Sequence, residues 1–248
     1  MQKRQSPRQK KSSAQGSVRK KTTTATQKKK KTEQPSHTVL LDQFTDKIEE
    51  DHNIIFKPNV GPQTDFLAAS EREVLYGGSA GGGKSYAMLA DPLRFMDVPA
   101  FAGVLLRHTT EELRELITKS QEMYPKIWPG IKWSERKMTW TAPSGATLWL
   151  SYLDKDQDVT RYQGLAFSWI GFDELTQWAT PFAWNYMRSR LRTADPSLPL
   201  SMRATTNPGG NGHGWVKKMF IDPAPANKKF IATDLESGED LVYPDTHE

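Results

Sequence analysis

The stretch LYGGSAGGGKSYAML, residues 75–89, constrains the fold of this chain most strongly, because it packs five glycines between an apolar segment and a helix-like segment. Glycine inside a regular element is destabilising by about 0.5–1 kcal/mol relative to alanine. A cluster of glycines therefore predicts a loop, and a loop without Cβ atoms can wrap closely around a ligand.

Residues Gly78–Ser85 match the P-loop pattern G-x-x-x-x-G-K-[ST], between a predicted strand and a predicted helix. In such a loop backbone N–H groups converge on phosphate oxygens, and the helix N-terminus adds partial positive charge. We predict an ATP site in which Lys84 contacts the β- and γ-phosphates and Ser85 ligates Mg²⁺. The alternative is a flexible glycine-rich turn, which would not require Lys-Ser at this position. The predicted binding residues are Gly78, Ser79, Ala80, Gly81, Gly82, Gly83, Lys84, Ser85 and Tyr86.

The stretch FSWIGFDE, residues 167–174, is typical of a buried strand that ends in two carboxylates. Open α/β sheets hold their ligands at this end of their strands. Asp173 is predicted to hold Mg²⁺, directly or through water, and Glu174 to act as general base on the attacking water. The alternative is a strand end that happens to carry two acids. Combined with the upstream loop, the pair favours an ATP hydrolase with an additional strand between the two motifs.

Two polar segments complete the predicted site. Gln63 lies about 15 residues before the loop, where helicase-like ATPases use a glutamine to read the adenine edge, since an amide offers one donor and one acceptor. It is otherwise a polar residue at a helix start. Thr205, Thr206 and Asn207 end a predicted strand and are candidates for sensing the γ-phosphate, with an ordinary turn as the alternative.

Strands alternate with helices along the chain, which predicts one α/β domain with a mainly parallel sheet flanked by helices. The predicted strands are EVLYGG, FAGVLLR, AFSWIGFDE and LSMRATTNPGG, with a hairpin in KMTWTAPSGATLWLSYL. One helix is predicted at 38–52, and a second is predicted to start near Gln63. Three more are predicted in KSYAMLADPLRFM, where Pro92 caps or kinks the helix, in TTEELRELITKSQEMY, where Thr109 or Thr110 is the N-cap, and in PFAWNYMRSRLR. The fold class is a P-loop NTPase of the additional-strand, catalytic-glutamate class.

The charge is distributed very unevenly. Residues 1–32 contain 12 of the 34 Lys and Arg and no acid, whereas residues 33–248 carry 22 basic and 29 acidic residues. The predicted organisation is a disordered basic tail at 1–35, an ATPase domain at 36–225, and a linker or the start of a C-terminal nuclease domain at 226–248. The tail is an arm for DNA phosphates or an acidic partner, or a solubilising segment. No apolar run approaches the roughly 20 residues that span a bilayer, and the absence of cysteine excludes disulfides.

The quoted segments resemble one family, the large terminase subunit of tailed bacteriophages, the ATPase motor of genome packaging. The resemblance rests on GPQTDFL, LYGGSAGGGKS, LLRHTTEEL, YQGLAFSWIGFDE, RSRLRT and MRATTNPGGNGHGWVKKMFI, in family order over residues 56–221. It implies that Thr205–Asn207 couple hydrolysis to DNA movement. It also implies a homo-oligomeric ring in the host cytoplasm, transiently on the portal vertex of a procapsid, with double-stranded DNA, portal protein and terminase small subunit as partners and no membrane.

The chain departs from the family in two respects. Many relatives carry an arginine inside the P-loop, where this chain has Ser79 and Ala80. Arg161 is the candidate for an arginine finger that reaches a neighbouring subunit, and Arg107 is the candidate acting in cis; each is otherwise a surface or ion-pair arginine. The family also continues into a nuclease with two metal ions, and we predict no nuclease activity from this chain.

Three function classes remain open from the sequence: the packaging ATPase, a helicase-like DNA-dependent ATPase, and a truncated nucleotide-binding adaptor without motor activity. A second RecA-like domain is not recognisable, which disfavours the helicase. His213 in NGHGW has no partner at ligand spacing and is interpreted as a loop histidine rather than a metal ligand. The tryptophans at 128, 133, 140 and 149 are interpreted as hairpin and core residues rather than base-stacking platforms.

Overall fold

The computed structural model describes residues 54–231. The described residues belong to one compact unit. The predicted basic tail, the predicted helix at 38–52 and most of the segment 226–248 lie outside the described residues. Among the described helices, none is both long and apolar enough to cross a membrane.

The described residues contain five α-helices and seven strands. The helices are α1 (Pro62–Ala68), α2 (Lys84–Ala90), α3 (Thr110–Ile127), α4 (Phe182–Arg188) and α5 (His213–Val216). The strands are β1 (Glu73–Gly77), β2 (Ala102–Arg107), β3 (Lys132–Ser134), β4 (Thr139–Thr141), β5 (Thr147–Tyr152), β6 (Trp169–Phe172) and β7 (Ser201–Thr206). Short 3₁₀ segments follow α2 (Asp91–Phe95), β5 (Asp156–Tyr162) and β6 (Leu175–Gln177), and a π-helical turn (Lys217–Ile221) follows α5.

All seven strands form one sheet in the order β1-β7-β6-β2-β5-β4-β3. The neighbouring strands β1, β7, β6, β2 and β5 pair in parallel, whereas β4 pairs antiparallel with β5 and β3 pairs antiparallel with β4. The predicted mainly parallel sheet is confirmed, and so is the hairpin, whose two strands are β4 and β5. Strand β7 separates β1, which leads into the glycine loop, from β6, which leads into the acidic pair, so the predicted additional strand is present.

Hydrophobic side chains cover both faces of the sheet, as expected for parallel strands buried between helices. On β2, Leu105 points to one face and Val104 and Leu106 to the other, and all three are fully buried. The first face is covered by α2 and α3 through Met88, Leu89, Leu113 and Leu116. The second is covered by α4 and α5 through Trp184, Met187 and Val216. This packing fixes the carboxyl ends of the strands, where the predicted site lies.

A buried ion-pair network anchors the end of α2. The helix stops at Ala90 and passes into the 3₁₀ turn that contains Pro92, which agrees with the predicted cap or kink. Asp91 is completely buried, accepts a hydrogen bond from Trp169 Nε1 at 2.7 Å, and pairs with Arg203 at 3.5 Å and with Arg94. A buried carboxylate needs such partners to offset its desolvation. The network ties α2 to β6 and β7.

Two predicted helices have different lengths in the structure. Of the two predicted N-cap candidates, Thr109 caps α3, in a reciprocal capping box with Glu112, but the helix continues through Pro125 to Ile127. Helix α4 ends at Arg188, several residues before the predicted end. There the chain turns back onto the sheet, because Phe167 N donates to Arg190 O at 3.0 Å and Arg192 N donates to Phe167 O at 2.9 Å.

Gly171 in β6 lies where a larger residue does not fit, and this gives a first prediction. A Cβ atom there would lie 2.8 Å from both Leu105 Cδ1 and Met88 Cε and would also overlap Trp169. We expect Gly171→Ala to lower the free energy of unfolding by about 1–3 kcal/mol, the usual effect of overpacking a core. Urea unfolding measures it. Gly214→Ala on α5 is the matched control, since its Cβ would meet nothing within 4 Å. Equal stability of both variants would contradict the described packing.

Candidate functional site

The glycine loop joins β1 to α2 at the carboxyl edge of the sheet. Gly78, Gly81 and Gly83 have φ angles of 140°, 87° and 71°, a region that residues with a Cβ rarely adopt. Gly83 is the left-handed residue that precedes α2, and Tyr76 of β1 braces the loop by donating from its hydroxyl to Gly82 O at 2.7 Å. The glycines are therefore required by the backbone path of the loop. The intervening Ser79 and Ala80 are exposed.

Lys84 is the first residue of α2, and its side chain folds back over the loop. Its Nζ donates to Gly78 O at 3.1 Å and to Ser79 O at 2.6 Å, and the residue is buried. Burial lowers the pKa of the Lys84 ammonium, and the nearby carboxylates of Glu174 and Asp173 oppose this effect. The ammonium thus lies at the rim of the loop, within the field of the acidic pair.

Asp173 follows β6 and lies opposite Ser85 of α2. Ser85 Oγ donates to Asp173 Oδ2 at 3.3 Å, so the hydroxyl and the carboxylate that the sequence assigns to Mg²⁺ are neighbours. The same Oδ2 lies 3.0 Å from Arg107 Nε. Arg107 is the last residue of β2, and Asp173 directly follows the neighbouring parallel strand β6. They are 4% and 0% exposed, so each neutralises a charge that would otherwise be buried alone.

Glu174 has a φ angle of 63°, the left-handed region that is uncommon for residues other than glycine. Its backbone N–H donates to Thr205 Oγ1 at 3.0 Å, which supports this conformation. Its carboxylate has three partners: Asn207 Nδ2 at 3.1 Å and Arg107 at 3.5 Å on Oε1, and Gln177 Nε2 at 2.9 Å on Oε2. The carboxylate is therefore held on both oxygens.

Thr205, Thr206 and Asn207, at the end of β7, contact the acidic pair and the 3₁₀ turn Leu175–Gln177 that follows it. The Thr205 hydroxyl donates to Asp173 Oδ1, and Thr206 Oγ1 lies 2.9 Å from Thr176 Oγ1. Asn207 reaches Glu174 directly. All three residues of the predicted coupling segment thus contact the acidic pair or the residues that follow it. Their role in coupling remains a prediction.

Gln63 lies on α1 and contacts the last glycine of the loop. Its Nε2 donates to Gly83 O at 2.9 Å, and its Oε1 accepts from Asn59 N at 2.7 Å. The residue is 3% exposed, and a Cβ on Gly83 would lie 2.6 Å from its Nε2. Gln63 therefore supports the loop, and adenine recognition by its amide remains a prediction.

Arg161 does not join this cluster. It lies on the 3₁₀ segment after β5, at the same edge of the sheet, with a side chain that is 42% exposed. Its guanidinium pairs with Asp158 at 3.5 Å and lies over the Tyr152 ring at 5.5 Å.

Tyr86, on α2, is also partly exposed, and Lys119 lies over its ring at 5.3 Å.

His213 is the first residue of α5. It is exposed, and its Nδ1 accepts from Gly209 N at 3.3 Å.

Within residues 54–231, no group of three or more His, Cys, Asp or Glu side chains is arranged to hold a metal ion. A magnesium ion bound with a nucleotide does not need such a group, because one or two carboxylates and the phosphates suffice. Trp140 is buried in the hydrophobic core, and Trp128, Trp133 and Trp149 are partly buried and pack against core residues.

Sequence reasoning missed Gln177, Thr176 and Glu112 as parts of the site. The local pattern around Glu112 indicates only a helix start, yet its Oε1 accepts from Gln177 Nε2 at 2.6 Å. Thr176 and Gln177 follow the acidic pair directly, and this proximity in the chain was the available signal. Glu112 lies 65 residues from Gln177, so no local pattern joins them.

The sheet order, the glycine loop after β1 and the acidic pair after β6 define a P-loop NTPase fold with an additional strand. A model of the family described as "Terminase large subunit, T4likevirus-type, N-terminal" matches residues 75–240. The chain belongs to this family, and the resemblance noted in the sequence is confirmed.

Solved structures of phage terminases have a similar fold. The large terminase of a thermophilic bacteriophage matches with a TM-score of 0.53 and 21% identity over 67% of this chain and 43% of that one. The ATPase domain of the Thermus phage P74-26 large terminase matches with 0.51 and 16% over 82% of both chains. The bacteriophage HK97 large terminase matches with 0.50 and 11% over 69% and 41%. This chain thus spans less than half the length of the first and the third of these proteins. No curated protein matched the sequence.

Proposed function

We propose that this chain is the ATPase domain of a phage packaging motor, which hydrolyses ATP to move double-stranded viral DNA into a procapsid. One observation carries the proposal: the loop residues Lys84 and Ser85 and the acids Asp173 and Glu174 meet at one site, with Ser85 Oγ 3.3 Å from Asp173 Oδ2. ATP hydrolysis requires a P-loop, one carboxylate that holds the metal ion, and a second carboxylate that acts as the base. Membership of the terminase family supplies the DNA-packaging context.

The residues present fit a nucleotide-bound magnesium ion. Ser85 Oγ and the Asp173 carboxylate would hold it, since Mg²⁺ prefers oxygen ligands and few protein groups. When bound, the ion neutralises charge on the transferred phosphoryl group. Lys84 adds a second positive charge at the loop, for which its ammonium must exchange the carbonyl oxygens of Gly78 and Ser79 for phosphate oxygens.

Glu174 is proposed to accept the proton of the attacking water. Its carboxylate is oriented by Asn207 and Gln177, which leaves the orientation of the base defined before substrate arrives. Arg107 contributes in cis by holding both acids, since its guanidinium contacts Asp173 and Glu174. Thr205 and Asn207 contact the same acids and are proposed to report the change at the γ-phosphate to the rest of the domain.

The assembled motor is proposed to be a homo-oligomeric ring in the host cytoplasm, docked on the portal protein and supplied with DNA by the terminase small subunit. The exposed Arg161 is proposed to act on the ATP of a neighbouring subunit. Double-stranded DNA is the proposed substrate of movement. Adenine contact by Gln63 and phosphate contact by the backbone of Gly78–Tyr86 complete the proposed nucleotide site.

The proposal is tested by measuring ATP hydrolysis and strand displacement on forked DNA together. We expect the wild-type chain, with portal and double-stranded DNA, to hydrolyse ATP and to leave forked DNA paired. Strand displacement on forked DNA would favour a helicase-like ATPase instead. Nucleotide binding without hydrolysis would favour an adaptor, and either result would overturn the motor.

Lys84→Met provides a prediction about nucleotide binding. The variant loses charge-assisted hydrogen bonds to the phosphates, so we expect its affinity for ATP to fall by about 10- to 100-fold. A fluorescent ATP analogue titrated against each variant measures this change. Lys126→Met, an exposed position near the end of α3, is the matched control. Equal affinity of Lys84→Met and the control would remove Lys84 from the site.

A further inference from the structure

Gln177 connects two carboxylates that lie far apart in the chain. It closes the 3₁₀ turn that begins directly after Glu174. Its Nε2 donates to Glu174 Oε2 at 2.9 Å and to Glu112 Oε1 at 2.6 Å. A primary amide has two N–H donors, so both are used by these two acceptors. The single amide nitrogen thus bridges the proposed general base and the first turn of α3.

The orientation of the Gln177 amide is fixed by charge. Its Oε1 is buried without a hydrogen-bond partner in the part of the chain that the structure describes. Rotating the amide by half a turn would direct this oxygen at the carboxylates of Glu112 and Glu174, which accept but do not donate when ionised. The observed orientation therefore tolerates one unsatisfied acceptor in exchange for two charge-assisted hydrogen bonds.

Glu112 provides a rigid anchor for this bridge. Its Oε2 accepts from Thr109 N at 3.3 Å, and its own N–H donates to Thr109 Oγ1 at 3.3 Å, which forms the capping box of α3. A carboxylate at this position is also stabilised by the positive end of the helix dipole. Glu112 is thus held by α3 on one oxygen and holds Gln177 with the other.

Both oxygens of the Glu174 carboxylate have partners. Oε1 interacts with Asn207, which directly follows β7, and with Arg107 of β2, while Oε2 accepts from Gln177. The terminal torsion of a glutamate is broad and roughly two-fold and moves both oxygens together, so partners on both oxygens define this torsion more narrowly than partners on one. The hydrogen bond from Gln177 supplies the restraint on Oε2.

We propose that Gln177, anchored by Glu112, is a positioning residue that sets the orientation of the Glu174 carboxylate toward the attacking water. The inference rests on the proposed ATPase function and deepens it. Gln177 acts through Glu174 and takes no part in binding the nucleotide. Its loss should therefore reduce turnover and leave nucleotide affinity unchanged.

The test compares Gln177→Leu with wild type, since leucine is similar in size and cannot donate. We expect kcat for ATP to fall by about 10- to 100-fold, the range of a small misplacement of a reacting group. The dissociation constant of a fluorescent ATP analogue and the melting temperature should stay close to wild type. Gln121→Leu, exposed on α3, is the matched control and should leave all three quantities unchanged.

Variants of Glu112 test the anchor. Glu112→Leu should lower kcat about as far as Gln177→Leu, and the double variant should fall no further, because both changes remove one chain of contacts. Glu112→Gln keeps an acceptor oxygen for Gln177 and should lose less activity than Glu112→Leu.

Three results would overturn the positioning role: turnover of Gln177→Leu within twofold of wild type, a loss of kcat accompanied by lost nucleotide binding or lost stability, or additive effects in the double variant. Failure of the proposed function looks different, since wild type would then hydrolyse ATP no faster than Glu174→Gln.

Discussion

Replacing Glu174 with glutamine should lower kcat for ATP hydrolysis by about 10²–10⁴-fold, the usual contribution of a positioned general base. The amide has nearly the shape of the carboxylate but cannot accept the proton of the attacking water. Lys84, Ser85 and Asp173 remain in place, so the variant should still bind nucleotide. Steady-state phosphate release and binding of a fluorescent ATP analogue measure the two quantities separately.

The control for this experiment is Glu122→Gln, which makes the same chemical change at an exposed position of α3. It should hydrolyse ATP at the wild-type rate. If Glu174→Gln and Glu122→Gln turn over equally fast, Glu174 is not the base. A loss of nucleotide binding in Glu174→Gln would mean that the glutamate supports the loop rather than the chemistry.

Arg161→Ala should lower ATP hydrolysis by about 10³–10⁵-fold in the assembled ring, the acceleration that an arginine supplied by a neighbour provides. The side chain is 42% exposed, and its guanidinium pairs with Asp158 of its own segment. The exposure of this side chain at the edge of the sheet that holds the glycine loop leaves it accessible to a neighbouring subunit, as the proposed finger requires. Binding of ATP to the isolated chain should be unaffected.

The measurement compares hydrolysis by isolated and assembled chains for wild type and Arg161→Ala. Wild type should be slow as a monomer and fast in the ring, whereas the variant should be slow in both states. Arg136→Ala, an exposed arginine in the turn between β3 and β4, is the matched control. Full turnover of assembled Arg161→Ala would remove the assignment, and a fast wild-type monomer would count against activation by a neighbour.

The features that the sequence predicted are those written in short, contiguous patterns. The apolar run before Asp173 is the fully buried strand β6, because a parallel strand inside the sheet is covered on both faces and needs no polar alternation. The run before Gly78 also forms a strand, but β1 lies at the edge of the sheet and is only partly buried, contrary to the expectation of a buried strand. The helix start was predicted at Thr109 or Thr110 from a threonine placed just before the apolar stripe, and Thr109 is the N-cap. The glycine loop and the acidic pair meet because β1, β7 and β6 are parallel neighbours whose carboxyl ends share one edge.

The features that the sequence did not predict depend on contacts between distant segments. The early end of α4 follows from backbone hydrogen bonds between Phe167 and Arg190–Arg192, which outweigh the helical tendency of the segment. The contact of Arg107 with both acids depends on the register of β2 and β6, which no local pattern specifies. Gln177 and Glu112 were missed for the same reason, since a polar residue gains its role from a partner far along the chain.

The most direct test of the account is a crystal structure of this chain with a slowly hydrolysed ATP analogue and Mn²⁺, whose anomalous signal locates the metal ion. We predict a single peak at about 2.0–2.3 Å from Ser85 Oγ, on the side facing Asp173, with Lys84 Nζ on the phosphates and the Glu174 carboxylate facing the γ-phosphate. A metal and triphosphate bound elsewhere on the domain, with Ser85 and Asp173 still hydrogen-bonded to each other, would contradict the proposed motor site.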